Sequence, residues 1–341
     1  MKSDNKIIFF AQAGADVVHI LKEIDSLNEG AKDNCIQIVC LTPVLYDCFK
    51  YLQLPPNVSF IYCRRLVPPI KKIWARNKWR KNVNKFLNRH VLYENVSKIY
   101  FTSVNSDPTM AYYIKICINK GCEVIYLNHY DDIQAIVPLK NPNIKERVKI
   151  WLFRYFIGLN LSWYRMGGRW NVIHFHYEDY SITEKRPLLD KEICKKYAYK
   201  INMGDKKAVL VFSQPNRDFD LISNKEHDHL FYKLVNTLKS KGYYVVLKGH
   251  PRLGVCQINI DQADEIIPQN ISSELIDLSV FHSCYGFITI ALSSAAKLGV
   301  PSYSFLPLMN DTKSQNYSDC LKFIDESGEG KIKLITSWNE I

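Results

Sequence analysis

The chain has 341 residues, of which 47% are hydrophobic and 23% charged, and its formal net charge is +11. This length suits two domains of ordinary size, and the composition is that of a folded globular protein rather than a disordered chain. No apolar run approaches the roughly 20 residues that a membrane-spanning helix needs, and the N-terminal residues lack the cleavage-site pattern of a signal peptide. The ten cysteines are scattered, without a C-x-x-C pair or zinc-type spacing, so we expect buried thiols in a reducing cytoplasm and no metal site.

Strand-like and helix-like patterns alternate through the first part of the chain. Predicted strands cover residues 7–10, 36–41, 58–62, 98–102 and 123–128, and predicted helices cover 17–27 and 110–120. This alternation is typical of a parallel, doubly wound sheet. A basic and aromatic helical region is expected to follow up to about Arg169, and then a mixed segment over 173–180.

A basic region interrupts this first series. Between Arg64 and Arg89 there are ten Lys or Arg residues and no acid, interleaved with apolar and aromatic residues. The pattern predicts a partly amphipathic helix that could rest on anionic lipid. Packing of the aromatic residues inside the first domain, with the cations in water, explains the same pattern and stays open at this point.

A second alternating series follows a charged segment without long apolar runs. Predicted strands cover 208–212, 243–247, 265–267, 286–290 and 302–305, and predicted helices cover 229–238 and 274–279. We therefore expect an α/β protein with a Rossmann-like domain over 1–180, a linker over 181–205 and a second Rossmann-like domain over 206–341. Neither G-x-G-x-x-G nor a P-loop motif occurs, which counts against a dinucleotide cofactor or a P-loop ATPase.

The motif Lys248-Gly249-His250-Pro251 comes directly after a predicted buried strand. Open α/β sheets bind ligands at the carboxyl ends of their strands, where a cation and an imidazole can neutralise a phosphate leaving group. Gly249 permits a close backbone approach, Pro251 stiffens the turn, and Arg252 adds a further cation. Each residue alone also fits an ordinary surface turn.

Two further groups belong to the same half of the chain. Ser293-Ser294 ends an apolar run and opens a helix-like segment, where hydroxyls and free backbone N–H groups can bind an anion or simply cap the helix. The segment from Pro268 to Glu274 ends in an acid at a predicted helix start. Such an acid can hold a ribose, or it can serve only the helix dipole.

An acidic pair, Asp131-Asp132, follows the last predicted strand of the first sheet. An acid at a strand end can act as a general base toward an acceptor hydroxyl, or it can cap a helix.

In this order, the motifs resemble those of the bacterial sialyltransferases of the GT-B type, which include the Pasteurella-type enzymes and the lipooligosaccharide and polysialic-acid relatives. Those families share a D/E-D/E-G motif in the first domain and H-P and S-S or S-T motifs in the second. The chain carries Asp131-Asp132, His250-Pro251 and Ser293-Ser294 in the same order. The resemblance covers most of the chain and implies the GT-B fold, in which two Rossmann-like domains face a central cleft, the first binding the acceptor and the second the donor.

The resemblance also implies a role for each matching residue. Asp131 would deprotonate the acceptor hydroxyl with the support of Asp132, and Glu274 would bind the ribose. The phosphate of a CMP donor would be contacted by Lys248, His250, Ser293 and Ser294, within a donor site that also includes Gly249, Pro251, Arg252 and Pro268. The implied reaction is a single inverting displacement that needs no metal ion and no cofactor beyond the CMP-activated sugar as co-substrate.

One departure from the family motif leaves the acid assignment open. The glycine that follows the two acids in the family is Ile133 here, which cannot adopt a glycine-only conformation cheaply. Asp107 or His129 could then share the role of the base. The donor sugar is also open between sialic acid and related acidic sugars carried on CMP, such as legionaminic acid or Kdo.

The function that we expect is transfer of sialic acid, or a related acidic sugar, from a CMP donor to a hydroxyl of a bacterial surface glycan. The acceptor would be a glycan or glycolipid of lipooligosaccharide, O-antigen or capsule, met in the cytoplasm or at the inner face of the cytoplasmic membrane. Two alternatives remain: a polymer phosphotransferase that uses CDP-glycerol or CDP-ribitol, and a non-catalytic basic protein that binds membrane or nucleic acid. Because the chain has no recognised nucleic-acid module, we expect no nucleic-acid partner.

Overall fold

The computed structural model describes residues 6–30, 34–64, 66–90, 95–103, 108–129, 136–139, 141–166, 170–201, 203–213, 222–251, 253–310, 312–313 and 315–341. The chain divides into two compact units, Met1–Asp190 and Lys191–Ile341. The division lies inside the segment 181–205 that was predicted as the linker.

The first unit contains a six-stranded parallel sheet and a small antiparallel sheet. In chain order its elements are β1 (Lys6–Ala11), α1 (Asp16–Gly30), β2 (Cys35–Cys40), α2 (Pro43–Lys50), β3 (Val58–Tyr62), α3 (Arg76–His90), β4 (Val96–Phe101), α4 (Pro108–Asn119), β5 (Glu123–Leu127), β6 (Ile136–Pro138), α5 (Ile144–Ile157), β7 (Leu161–Met166), β8 (Trp170–Phe175) and β9 (Ile182–Lys185). The parallel sheet has the order β3-β2-β1-β4-β5-β9. Its central strand β1 is apolar and buried from Ile7 to Ala11, and strands β2 and β4 pair with it on its two sides.

The second unit repeats the same strand order. Its elements are α6 (Lys191–Lys196), β10 (Ala208–Ser213), α7 (Asn224–Ser240), β11 (Tyr244–Gly249), β12 (Glu265–Ile267), β13 (Ser283–Gly286), α8 (Ile290–Lys297), β14 (Ser302–Ser304), α9 (Gln315–Gly328) and β15 (Ile332–Leu334). The sheet has the order β12-β11-β10-β13-β14-β15, with every pair of neighbours parallel. Two Rossmann-like sheets in one α/β chain confirm the predicted fold class. In each sheet the order reverses beside the first strand, which is where such sheets bind ligands.

The basic region of the first unit is only partly helical. Helix α3 begins at Arg76, directly after a 3-10 turn over Ile73–Ala75, and the residues from Pro68 to Lys72 before that turn are not helical. Trp79, Val83 and Leu87 recur every four residues along α3 and lie in the hydrophobic core. The cations between them are largely exposed, so α3 is amphipathic as predicted.

The basic and aromatic helical region that was predicted between the strand 123–128 and about Arg169 is only partly helical. Helix α5 ends at Ile157 because Gly158 adopts a left-handed conformation with φ of 83° and caps it. Strands β6, β7 and β8 then form the small antiparallel sheet. Aromatic and β-branched residues, which favour strands, dominate β8.

The segment that was predicted as a connection also contains regular structure. Strand β9 pairs in parallel with β5 at the edge of the first sheet, and α6 opens the second unit. Strand β9 has the sequence ITEK. It is short and half charged, as is typical of an edge strand, so it lacks the apolar run by which a buried strand is predicted.

Two predictions in the second unit are shifted. The strand expected over 286–290 is β13 and ends at Gly286, while Thr289 caps α8 through its side chain. The helix expected over 274–279 consists of two short 3-10 turns, Ser273–Leu275 and Leu278–Val280. An apolar run that continues from a strand into a buried helix hides the boundary between them.

All ten cysteines lie within the described residues, and no disulfide joins any two of them; eight are buried. Among the described helices, none combines the length and the apolar character that spanning a bilayer requires.

Candidate functional site

The carboxyl ends of β11, β12 and β13 carry the predicted donor residues, and we call this set of strand ends the donor edge. Lys248 is almost fully buried at the end of β11. Its Nζ donates to the carbonyl oxygen of Gly249 at 2.7 Å and to that of Gln269 at 3.1 Å. The ammonium therefore braces two loops of the donor edge, and its contact with a phosphate stays a prediction.

His250 opens a tight turn that closes on Gly254. The two residues exchange backbone hydrogen bonds of 2.9 and 2.8 Å. The Nδ1 of His250 accepts from the backbone N–H of Leu253 at 3.3 Å. The neutral tautomer that this bond selects carries its proton on Nε2, and an Nε2–H group is a donor suited to a phosphate oxygen.

Gly249 is required by the packing of this turn. A Cβ at Gly249 would lie 2.6 Å from the carbonyl carbon of Gly254 and 2.8 Å from the nitrogen of Val255. The close backbone approach that was predicted at Gly249 is thus present, and the backbone that approaches it is that of Gly254 and Val255. Pro251 accepts a hydrogen bond from Gln269 Nε2 at 2.8 Å, so two bonds link the His250 turn to the next loop. Arg252 lies outside the described residues.

Glu274 joins the loop after β12 to helix α8. Its carboxylate is 5% exposed. Oε2 accepts from the hydroxyls of Ser272 at 2.5 Å and Ser273 at 3.0 Å, and Oε1 accepts from the hydroxyl of Ser294 at 3.1 Å. These three hydroxyl donors satisfy both oxygens of one buried carboxylate. The loop begins at Pro268, whose carbonyl accepts from the N–H of Ile271 at 3.1 Å.

The paired serines do not open their helix, contrary to the sequence prediction. Helix α8 begins at Ile290, with Thr289 Oγ1 accepting from Ala291 N at 3.3 Å, so both serines lie beyond its first turn. The hydroxyl of Ser293 is buried against that of Ser327 in α9, 2.7 Å away. The structure thus brings Ser294 to Glu274, and it directs Ser293 toward α9.

The predicted acidic residues Asp131 and Asp132, like Asp107 and Ile133, lie outside the described residues. His129, which precedes them by two positions, is described. Its Nε2 lies 3.0 Å from Oδ1 of Asp16, in a pair that is almost fully buried.

Asp16 is a functional candidate that sequence reasoning missed. It is fully buried at the start of α1, and its Oδ2 accepts from the backbone N–H groups of Gln12 at 2.6 Å and Ala13 at 2.7 Å. Burial alone would raise the pKa of Asp16, but its hydrogen bond and attraction to His129, together with the two backbone bonds, hold the pKa below its ordinary value. A carboxylate held in this way orients an imidazole and stabilises its cation.

His19 completes this group, which we call the acid edge: Asp16, His19 and His129. The rings of His19 and His129 stack with centroids 4.4 Å apart. Burial, reinforced by the nearby His129, lowers the pKa of His19 from 6.5 to about 3. No sequence signal identified the group, because Asp16 and His129 are 113 positions apart.

Comparison with known proteins gives a partial match to one family model and a similarity in fold. Residues 171–287 match the model of a family described as alpha-2,8-polysialyltransferase (POLYST). This range contains Lys248, His250 and Glu274, and it ends before the paired serines. No curated protein sequence matches the chain.

Two of the similar solved structures are sialyltransferases. The alpha/beta-galactoside alpha-2,3-sialyltransferase of the luminous marine bacterium Photobacterium phosphoreum aligns with a TM-score of 0.51 and 11% identity over 100% of both chains. The GT-B domain of the Photobacterium damselae sialyltransferase aligns with a TM-score of 0.49 and 13% identity over 97% of this chain and 99% of that one. The chain is thus similar to a polysialyltransferase family over about a third of its length, and its fold is similar to that of a bacterial sialyltransferase.

The fold alone does not select this activity. A putative UDP-N-acetylglucosamine 2-epimerase from Listeria monocytogenes aligns with a TM-score of 0.50 and 9% identity over 96% of this chain and 91% of that one. One fold hosts many chemistries, so the activity has to be argued from the family match and the site. Together these support a glycosyltransferase.

Replacing Gly249 tests the packing of the donor edge. We expect Gly249→Ala to lower the free energy of unfolding by about 1–3 kcal/mol, because the new methyl group meets fixed backbone. Gly30→Ala is the matched control, since an added Cβ there has no atom within 4 Å. Thermal unfolding of both variants checks this, and equal melting temperatures would contradict it.

Burial of His19 predicts a pH dependence of stability. Below pH 6.5 the unfolded chain protonates His19, whereas the folded chain does so only near pH 3. The contribution of His19 to the free energy of unfolding is therefore fully present above pH 6.5, and it is lost as the pH falls toward 3. Between pH 7 and pH 5, the wild type should lose about 2 kcal/mol more unfolding free energy than His19→Gln.

Denaturant unfolding followed by tryptophan fluorescence measures this difference. Five of the six tryptophans belong to the first unit, so the signal mainly reports the unit that contains His19. If the wild type and His19→Gln lose the same unfolding free energy between pH 7 and pH 5, the pKa of His19 is not lowered in the folded protein, and the prediction is contradicted.

Proposed function

We propose that the chain is an inverting sialyltransferase that moves sialic acid, or a related acidic sugar, from a CMP donor to a hydroxyl of a bacterial surface glycan. The observation that carries the proposal is the overlap of the polysialyltransferase family match with the donor edge. Within residues 171–287, the chain brings Lys248 to the His250 turn and places Glu274 at the next strand end.

The donor edge suits the departure of a cytidine monophosphate. As the glycosidic bond breaks, negative charge develops on the phosphate, and donors held rigidly in a site that excludes water stabilise it most. His250 offers an Nε2–H group from a turn fixed by backbone bonds. In the proposed mechanism Lys248 adds positive charge beneath that turn, and Glu274 accepts from the ribose hydroxyls as it now accepts from serines.

If the paired serines are to bind the phosphate of the donor, a small local rearrangement is needed. Ser294 already donates to Glu274, so its hydroxyl would turn from the carboxylate to the phosphate as the ribose takes its place. Ser293 would act through its position in α8, because its hydroxyl contacts Ser327. These roles come from the family resemblance and remain part of the proposal.

On the acceptor side, a base has to remove the proton from the attacking hydroxyl. We assign this step to Asp131 with Asp132 in support, as the family motif implies. Inversion then follows from a single displacement at the anomeric carbon, with the sugar–phosphate bond breaking as the new glycosidic bond forms. Neither step calls for a metal ion or a further cofactor.

Two substitutions test the assignment of roles. Asp131→Ala should lower the transfer rate by at least about 100-fold, because general base catalysis contributes 100-fold to 10,000-fold, while CMP binding is retained. His250→Ala should weaken CMP binding and transfer together. The matched control is Asp47→Ala, which removes an exposed acid of α2 that pairs only locally with Lys50.

The measurement uses radiolabelled CMP-sialic acid and CDP-glycerol in parallel, with CMP, UMP and ADP in a thermal-shift assay. The proposal expects label transfer from CMP-sialic acid alone and stabilisation by CMP alone, since a ligand of the native state raises its melting temperature. Near wild-type transfer by Asp131→Ala would reject the base, and transfer from CDP-glycerol instead would reject the sialyltransferase.

We further propose that the first unit contacts the inner face of the cytoplasmic membrane, where a glycolipid acceptor would be met. Helix α5 carries a row of exposed apolar side chains spaced by three or four residues: Ile144, Val148, Trp151 and Tyr155. Trp74, which is 81% exposed, lies just before α3. The guanidinium of Arg76 lies 4.4 Å from the ring centroid of Tyr155, which joins α3 to this face of α5.

The charge around this apolar face favours anionic lipid. Helix α3 contains six Lys or Arg residues and no acid. Aromatic side chains flanked by cations are typical of helices that lie in the membrane interface.

The double substitution Trp74→Ser and Trp151→Ser tests this contact. It should weaken sedimentation with phosphatidylglycerol vesicles about tenfold, because two aromatic groups no longer leave water. Leu188→Ser, which changes a 77% exposed residue outside this face, is the control. Equal binding of all three proteins, or equal binding to neutral vesicles, would contradict the proposal.

A further inference from the structure

A group of potential metal ligands lies in the second unit, apart from the residues assigned to the donor. His227 and Asp228 are the fourth and fifth residues of α7, and Cys256 follows the His250 turn. The Sγ of Cys256 lies 3.1 Å from Oδ1 of Asp228, and Nδ1 of His227 lies 3.5 Å from the same oxygen. One ligand atom from each of the three residues lies within 4.8 Å of the other two.

The imidazole of His227 is the unusual member of this group. It is 1% exposed; Nδ1 approaches Asp228 Oδ1 at 3.5 Å, and Nε2 makes no hydrogen bond to the part of the chain that the structure describes. The rings of Phe231 and Phe287 pack against it, with centroids 4.7 and 5.6 Å away, and supply no acceptor. A buried polar group without a partner is costly and calls for a bound water or ion.

The geometry favours an ion. We propose that His227, Asp228 and Cys256 form a binding site for a divalent metal of the zinc class. Zinc–ligand bonds of about 2.0–2.3 Å in a tetrahedron place ligand atoms about 3.3–3.6 Å apart. The two separations from Asp228 Oδ1, 3.1 and 3.5 Å, lie close to this range, and the third, between His227 and Cys256, is within 4.8 Å. Imidazole, thiolate and carboxylate form a mixed set that suits zinc rather than magnesium or calcium.

Binding is a simple exchange of a proton for the metal. The S–H bond of Cys256 breaks, its proton goes to solvent, and the thiolate forms a bond to the metal ion without any change of oxidation state. His227 and Asp228 supply the second and third ligands, and a water completes the tetrahedron. The site is distinct from catalysis, for which no metal is proposed.

A metal in this position would stiffen the donor edge. Cys256 donates its backbone N–H to Ser213 Oγ at the end of β10, 3.0 Å away. It comes two positions after Gly254, which closes the His250 turn. A bond from Cys256 to α7 would therefore anchor that turn on a second side. This consequence rests on the proposed function, whereas metal binding does not.

Metal binding can be measured without any nucleotide or activity assay. The full chain is stripped with a chelator and titrated with Zn²⁺, with bound metal measured by mass spectrometry, and then with Co²⁺, with the absorption spectrum recorded. The variants are Cys256→Ser and His227→Gln, and the control is Cys194→Ser, which changes another buried cysteine of the same unit. Thermal unfolding shows that each variant is folded.

We expect the wild type and the Cys194→Ser control to bind one Zn²⁺, with release of a proton and a rise in melting temperature. Both site variants should bind at least tenfold more weakly, and the thiolate-to-cobalt charge-transfer band should be missing in Cys256→Ser. If His227→Gln does not fold, Cys256→Ser and its spectrum decide the question. The proposal is overturned if the wild type binds no metal, or if Cys256→Ser binds it as the wild type does. Loss of CMP binding with intact metal binding would affect only the proposed function.

Discussion

The donor edge depends on one constraint, which is that β11, β12 and β13 run parallel in a single sheet and so end on the same side. Strand β10 lies between β11 and β13, and the loops that follow these strands are then tied together by a few buried polar contacts. Lys248 joins the His250 turn to the next loop, and Glu274 joins that loop to α8. Because these contacts are buried, they hold the loops in position before any ligand arrives.

The elements that could be predicted from the sequence are those that contain a continuous apolar run. Buried parallel strands such as β1 and β10 each contain five consecutive apolar residues, so their positions and the α/β fold could be predicted directly. The edge strand β9 is short and half charged, and it went unrecognised. The start of α8 was placed too late, because the apolar run from Phe287 to Leu292 covers both a strand end and a helix start.

The residues of the candidate site also form two groups. Local sequence motifs identify the first group, and the second comes together only in the folded chain. Short local motifs located the His250 turn and the paired serines, since their residues are neighbours in the chain. The pairing of Asp16 with His129 and the approach of His227 to Cys256 join residues far apart in the sequence. Spacing rules cannot find such groups, because their members come from separate helices and loops that meet only in the folded chain.

The most direct measurement of the central claim is the structure of the protein crystallised with CMP. The account predicts that the phosphate lies within hydrogen-bonding distance of Nε2 of His250, that Glu274 accepts from the ribose hydroxyls, and that Ser294 has turned away from that carboxylate. A nucleotide bound at any other place, with the contacts between Glu274 and Ser294 unchanged, would contradict the account.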